Sequence, residues 1–560
     1  MQRISSGPAY TTVGKTNMDE FGMGSHSLNS FFGPARIPAH TVNSKRYTSK
    51  TFGPEYSVGG SSGGSALAVK TGQSRLALGT DTGGSVRLPA AYVGVVGFKP
   101  SYGLVSRFGV VPYANSLDTV GMLGHTVRTV SILFDYVQNH DPQDPTSLLP
   151  RLNKRTTTFR ELSREAHQLD LKSLTVGVPL EYNIEELHPT VRSAWTAVLQ
   201  LLQDEGCTVV PVSLPTTKHA LSAYYVIAAA EAMSNLAKYD GVRYGNRGDV
   251  DDGAGDVLYS STRGQGFGDE VRRRILLGSY TLSSGAIDNY FLKAQRVRRL
   301  VQKDFDRIFK LTNPLRSPEQ FDLSDMEDSI TLENKLGPAQ VDFIITPTAP
   351  TPPPKIKDLK NQSPVDTYMN DVFTVPASLA GVPAISIPVD MSDKRRTQTV
   401  IHSPFPENGK IAGVQIVGQY LDDWRVIHFA RRLENLLKHQ SSSGQTQQHD
   451  HVSQPKAKVP EQKLNVPAGR VSRFKIQRMV SRLNIRRTVD RLKLQPLLSG
   501  PDSFPTEQHV TGLNKTQKEP LSKPNQESQK SKMLIRYLHF QRKDQDETVD
   551  GEQFFPPKDT

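Results

Sequence analysis

"GGSSGGSALAVKTGQSRLALGTDTGGSVR", residues 59–87, holds two knots of glycine and serine, one around Ser61 and one around Ser85, 24 positions apart. Glycine weakens the interior of a strand or helix. Such density therefore marks either a flexible connection or a backbone bent around something small. Short apolar runs lie close by, Leu76–Leu78 and Tyr92–Val96, and read as buried pieces of strand or helix.

Further along the chain strands and helices alternate. "SLTVGVP" (173–179) reads as a strand, followed by a helix over 189–204 with Val191, Trp195, Val198 and Leu202 on one face. "TVVPVSL" (208–214) reads as the next strand. A longer helix is expected over 284–310, where Ile287, Tyr290, Phe291, Ala294, Val297, Val301, Phe305 and Ile308 recur at helical spacing. "VDFIITPTAP", "PAISIPV" and "IAGVQIVG" read as strands. The pattern predicts an α/β fold with one mixed central sheet covered by helices. Residues 311–340 and 391–409 read as polar insertions.

The chain has 560 residues and a formal charge of +12. Residues 441–560 carry 21 Lys/Arg against 13 Asp/Glu, so most of the excess belongs to the tail. A body over 1–438 and a disordered basic C-terminal tail over 439–560 are expected. Within the tail, 469–494 has the spacing of an amphipathic helix suited to RNA, an anionic membrane or a partner. A solvated charged tail is the preferred reading. A single cysteine, Cys207, excludes an internal disulfide framework. No apolar run is long enough to span a bilayer, and no presequence is visible at the N-terminus.

Several chemistries fail on the residues. Gly14–Thr16 reads GKT, but Ala9 stands where a P-loop needs its first glycine. A GxSxG elbow around Ser85 would need glycine where Arg87 stands. No HExxH or paired CxxC points to zinc. His26, His40 and His125 have no orienting acid beside them and read as surface or core histidines. What remains is Asp81–Ser85, "DTGGS". Two glycines before a serine turn successive N–H groups inward as a nest for negative charge, the need of an oxyanion hole. A tight turn with an idle serine fits these residues equally well. A serine hydroxyl needs a base, and Ser61 would serve as a relay from Ser85 to a lysine kept neutral by burial.

The two knots in this order, with Asp81, Arg87 and Pro89, resemble the amidase signature family. "GKTNMDEFGMGS", "FGVVPYANSLDTVGML", "GVRYGNR" and "VRRRILLGSYTLSSG" are similar to its glutamine-hydrolysing members in tRNA-dependent amidotransferases, over residues 13–438. The resemblance implies Ser85 as the acyl-forming nucleophile and Ser61, after a cis peptide bond, as the relay serine. It implies an oxyanion hole from the N–H groups of Thr82, Gly83, Gly84 and Ser85. For glutamine it suggests Arg298 on the α-carboxylate, with Tyr244 and Asp422 for the side chain and α-amino group. It places the catalytic lysine further upstream of Ser61 than this chain reaches, so an incomplete sequence is expected. Lys15 matches a different family position. The resemblance also implies a B subunit that uses ATP and Mg²⁺ on Glu-tRNA(Gln), a small third subunit, no cofactor or metal on this chain, and the mitochondrial matrix. The alternatives are a free-standing small-amide amidase and a catalytically dead subunit for assembly or RNA binding.

Overall fold

"FIITP", Phe343–Pro347, is buried at every position, as a strand covered on both faces must be. It stands inside an eight-stranded mixed sheet. The computed structural model describes residues 11–37, 55–150, 169–249, 258–316, 340–359, 362, 364–391 and 411–443. β1 (Arg36–Ile37) and β2 (Tyr56–Ser57) form a separate antiparallel pair. The large sheet holds β3 (Leu76–Asp81), β4 (Val96–Lys99), β5 (Thr119–Gly124), β6 (Thr175–Pro179), β7 (Thr208–Val212), β8 (Phe343–Pro347), β9 (Ala384–Asp390) and β10 (Ile411–Val417). Their spatial order is β3-β5-β4-β9-β10-β8-β6-β7. Pairing is antiparallel from β3 to β8 and parallel through β8, β6 and β7. This is the α/β fold expected from the alternation.

Parallel neighbours need a long crossover, and the helix Pro189–Asp204 supplies it between β6 and β7. Proline at its first turn and the His188 side chain, accepting from Thr190 N–H, start it. Val191, Ala194, Trp195, Val198, Leu201 and Leu202 are its buried face. Trp195 Nε1 also donates to the Ile345 carbonyl at 3.0 Å, fixing the helix to β8.

The second long helix is shorter than its apolar spacing predicts. It runs Phe291–Ile308, and residues 283–290 form turns in which Ala286 and Ile287 N–H both meet the Ser283 carbonyl. Serine and glycine in Ser283–Gly285 favour such turns over helix. At the other end Phe309 bridges to Val341 beside the sheet, so tertiary pairing stops the helix. Helix Ala220–Leu236 packs close to helix Asp269–Thr281. A Cβ on Gly278 would stand 2.2 Å from the Ala229 carbonyl oxygen, so only glycine permits that approach.

Leu76–Leu78 falls in β3. Tyr92–Val96 straddles the end of helix Arg87–Val93 and the start of β4, joined by Gly94 at φ 77. Such a left-handed residue is a common helix terminus. Helix Asp423–Ser443 carries the body slightly beyond 438. Most of both expected insertions, and the tail beyond residue 443 with segment 469–494, lie outside the described residues. Among the described residues no helix is long and apolar enough to cross a membrane.

Candidate active site

β3 ends at Asp81 and delivers Thr82–Ser85 to the start of helix Arg87–Val93. Asp81 sets the turn. Its Oδ2 accepts from Val86 N–H, Arg87 N–H and Arg87 Nε, and its Oδ1 accepts from Arg87 Nη2 at 2.8 Å. Burial alone would raise the Asp81 pKa. That is the largest single influence, but the Arg87 guanidinium, the Lys99 charge and the Val86 N–H together hold the carboxyl below its ordinary value.

The carbonyls of the turn point into the protein. Thr374 Oγ1 donates to the Gly83 oxygen at 2.6 Å, Leu88 N–H to Gly84 at 2.8 Å and Ser62 N–H to Ser85 at 3.1 Å. Among the described residues none accepts from the N–H of Gly83, Gly84 or Ser85. Both glycines are also spatially required. A Cβ on Gly83 would lie 2.5 Å from the Tyr224 ring, and one on Gly84, at φ +149, would lie 2.2 Å from Thr374 Oγ1. On the other flank Thr82 Oγ1 donates to Asp118 at 2.7 Å, and Asp118 also accepts from Tyr113 and Ala114 N–H.

The first knot lies against the second. Ser62 N–H holds the Ser85 carbonyl, and the Gly60–Ser61 peptide bond is cis, as the resemblance implies. Ser61 Oγ is buried and has no hydrogen-bond partner among the described residues. Gly60 is pinned between backbone and acid. Its Cβ would stand 2.4 Å from Asp19 Oδ2 and 2.6 Å from the His26 nitrogen. Asp19 accepts from Ser27 and Asn29 N–H, and burial pushes its pKa up to about 7.

His26 is a core histidine. Its ring lies between Ser57 Oγ and the Asn370 side chain, stacks on Tyr92, and is pushed down to about 4 by burial. His125 is exposed and His40 lies outside the described residues. Lys15 is exposed. Lys99 is buried, donates to the Val382 and Pro100 carbonyls, and is pushed down to about 7 by burial.

The profile of the amidase family matches residues 9–427, three quarters of the chain. The chain belongs to the amidase family. It is 57 % identical over 430 residues to the A subunit of the mitochondrial glutamyl-tRNA(Gln) amidotransferase of Fusarium vanettenii, covering 76 % of this chain and 78 % of that relative. To the same protein of Tuber melanosporum it is 48 % identical over 426 residues, 76 % of each chain. The crystal structure of the glutamyl-tRNA(Gln) amidotransferase A subunit from Thermotoga maritima aligns with a TM-score of 0.54 at 33 % identity, over 78 % of this chain and 75 % of that one.

The residues expected to touch substrate separate in this amidase-family fold. Arg298 meets the loop that carries Asp118, donating to Ser116 Oγ at 2.7 Å, the Ser116 carbonyl and the Leu379 carbonyl. Tyr244 is half exposed on an aromatic row with Tyr239, Phe21 and Phe267. That row leads to Gly22, where a Cβ would lie 3.5 Å from Ser61 Oγ. Asp422 stands elsewhere. Its Oδ2 accepts from Arg425, and burial pushes its pKa up to about 8. No hydrogen bond or ion pair among the described residues links it to either serine knot.

Asp371 is a carboxylate that sequence reasoning missed. It is buried, accepts from Ser25 Oγ at 2.9 Å and Tyr225 Oη at 3.1 Å, and lies three residues before Thr374. Thr374, Tyr224 and Asp118 were missed too. Only Asp118 sat inside a quoted motif; the others reach the site from distant segments with no local pattern of their own.

Proposed function

We propose that this chain is the glutamine-hydrolysing A subunit of a mitochondrial glutamyl-tRNA(Gln) amidotransferase. The observation that carries the reading is the pair of serine loops locked together, with N–H groups in the second that no described residue accepts from. The names of its relatives, which share about half their residues with it, supply the substrate.

Ser85 Oγ attacks the glutamine side-chain amide and its proton passes to Ser61 Oγ, giving a tetrahedral oxyanion. Gly84 and Ser85 N–H groups, with Thr82 and Gly83, stabilise that charge from a backbone already in place. Collapse breaks the C–N bond, returns a proton to the nitrogen and releases ammonia, leaving a glutamyl ester on Ser85. Water then hydrolyses the ester by the same relay. The base beyond Ser61 is the lysine that the resemblance implies. Arg298 pairs with the α-carboxylate, a task for a bidentate fork, and Tyr244, on the aromatic row that leads to Gly22, is the contact for the glutamine side chain. Asp371 replaces Asp422 as the partner of the α-amino group, because its carboxylate is buried and its backbone carbonyl meets the Thr374 hydroxyl that holds Gly83.

In that role it works within a multi-subunit complex. The finer assignment is a B subunit that uses ATP and Mg²⁺ on Glu-tRNA(Gln) and receives the ammonia, a small third subunit, and the mitochondrial matrix.

The test is ammonia release from glutamine by the full chain purified with its native partners. Release that rises when ATP and Glu-tRNA(Gln) are supplied is expected. Equal release from simple amides, independent of partners, means a free-standing amidase instead; none at all from a folded complex means a non-catalytic role. A second result should accompany it. Ser61→Ala removes a buried hydroxyl that has no hydrogen-bond partner among the described residues. The melting temperature is therefore expected to change little, while turnover falls by roughly 10²–10⁴-fold, the worth of a proton-transfer group. A loss of both stability and turnover would make Ser61 a structural residue.

A further inference from the structure

The structure assigns Thr374 as a positioning residue of the oxyanion hole: its hydroxyl holds the Gly83 carbonyl and so aims the Gly84 N–H into the space before Ser85. In a planar trans peptide the C=O and the N–H of the next residue point in opposite directions. Gly60–Ser61 is the cis bond of the described residues, so the Gly83–Gly84 unit is trans. Thr374 Oγ1 grips its oxygen at 2.6 Å, and the Gly84 N–H therefore points away from Thr374.

The next peptide unit is set differently. The Gly84 carbonyl receives Leu88 N–H, an ordinary first-turn bond of helix Arg87–Val93. Ser85 N–H is thus oriented by local structure, whereas Gly84 N–H depends on a residue 291 positions away from Gly83. Two glycines in a row have the freedom to turn that peptide over.

Thr374 is built for the task. It is the N-cap of helix Val375–Ala380, a position where a threonine hydroxyl ordinarily accepts from its own helix, yet it makes no such bond. Its proton has two backbone carbonyls in reach, that of Gly83 at 2.6 Å and that of Asp371 at 3.1 Å, and the shorter contact takes it. The Thr374 carbonyl is tied down by Arg87 Nη1 at 2.9 Å, and the residue is fully buried.

The inference rests on Ser85 being the nucleophile, and the test separates the two. Thr374→Val keeps the shape and removes the hydroxyl. It is expected to lower kcat by about 10–100-fold, below the roughly 100- to 1000-fold of deleting a donor outright, with KM little changed. Thr374→Ser keeps the hydroxyl and should restore most of kcat. A glutamine-like aldehyde, which forms a tetrahedral adduct on Ser85, should lose affinity in the valine variant in parallel with kcat. If the valine variant does not fold, Thr374→Ala against Thr374→Ser makes the same comparison. Wild-type kcat in a hydroxyl-free variant, with Ser85→Ala inactive, overturns the role of Thr374 alone. An active Ser85→Ala, or a wild-type complex that releases no ammonia, overturns the nucleophile assignment and this inference with it.

Discussion

Ser85→Ala is expected to abolish glutamine hydrolysis, by on the order of 10⁶-fold in kcat, without changing the melting temperature. Ser85 is 9 % exposed just beyond the end of β3, and the Ser62 bond that fixes it runs to its backbone carbonyl. Alanine keeps that bond and the helical turn after it. What disappears is the attacking oxygen, while the peptide units before it stay held by Thr374 on the Gly83 carbonyl and Leu88 on the Gly84 carbonyl. Binding survives the change, so the variant should still take up glutamine. The measurement is ammonia release by the purified complex, with calorimetry on the same sample and mass spectrometry for an acyl ester. Wild-type release from the alanine variant would make the serine an idle turn residue, the alternative that the DTGGS text allows by itself.

Arg87→Met is expected to cost about 3–5 kcal/mol of stability, the range for breaking one side of a buried ion pair. Arg87 and Asp81 are both fully buried. The guanidinium binds Asp81 through Nε and Nη2, the Thr374 carbonyl and Gln415 Oε1 through Nη1, and Ser378 Oγ through Nη2. It joins the nucleophile turn to β10 and to helix Val375–Ala380. Methionine fills much of the volume but leaves Asp81 charged and without its cation. Lysine is no substitute, since one ammonium cannot reproduce a planar fork.

The loss should also depend on pH. With the folded pKa of Asp81 held below its unfolded value of about 3.9, the pair stabilises the protein above that value and loses its contribution as pH falls through the folded pKa. The difference between wild type and Arg87→Met should therefore be largest near neutrality and shrink in acid. Denaturant unfolding across that range measures it. A difference below about 1 kcal/mol at pH 7, the size of an exposed pair, would contradict the assignment.

Much of this was written in local sequence. The alternation of strands and helices pointed to the mixed α/β sheet, because burial on one or both faces imposes its own period on the residues. The two glycine–serine knots, Asp81 and Arg87 were legible for a similar reason. A backbone bent around a small reactive centre excludes Cβ atoms, and that exclusion appears as glycine in the text. Helix ends were less legible. Ile287 and Tyr290 fit the helical spacing, yet the Ser283–Gly285 turn and the Phe309–Val341 bridge decided where the helix runs.

The site's walls could not be read at all from one stretch. Asp371 and Asp422 are both acids in apolar surroundings near the end of the body, and the sequence offers no basis for preferring either. Folding puts Asp371 beside Ser25, Tyr225 and the Thr374 contact, and gives Asp422 to Arg425. Thr374, read alone, is an ordinary helix cap. Its hydroxyl serves Gly83 instead because the sheet brings β3 and the segment before β9 together. The sequence by itself thus determined which backbone must bend and which serines it carries. The tertiary structure decided which distant side chains hold that bend, since a hydrogen bond across 291 positions leaves no local trace in the chain.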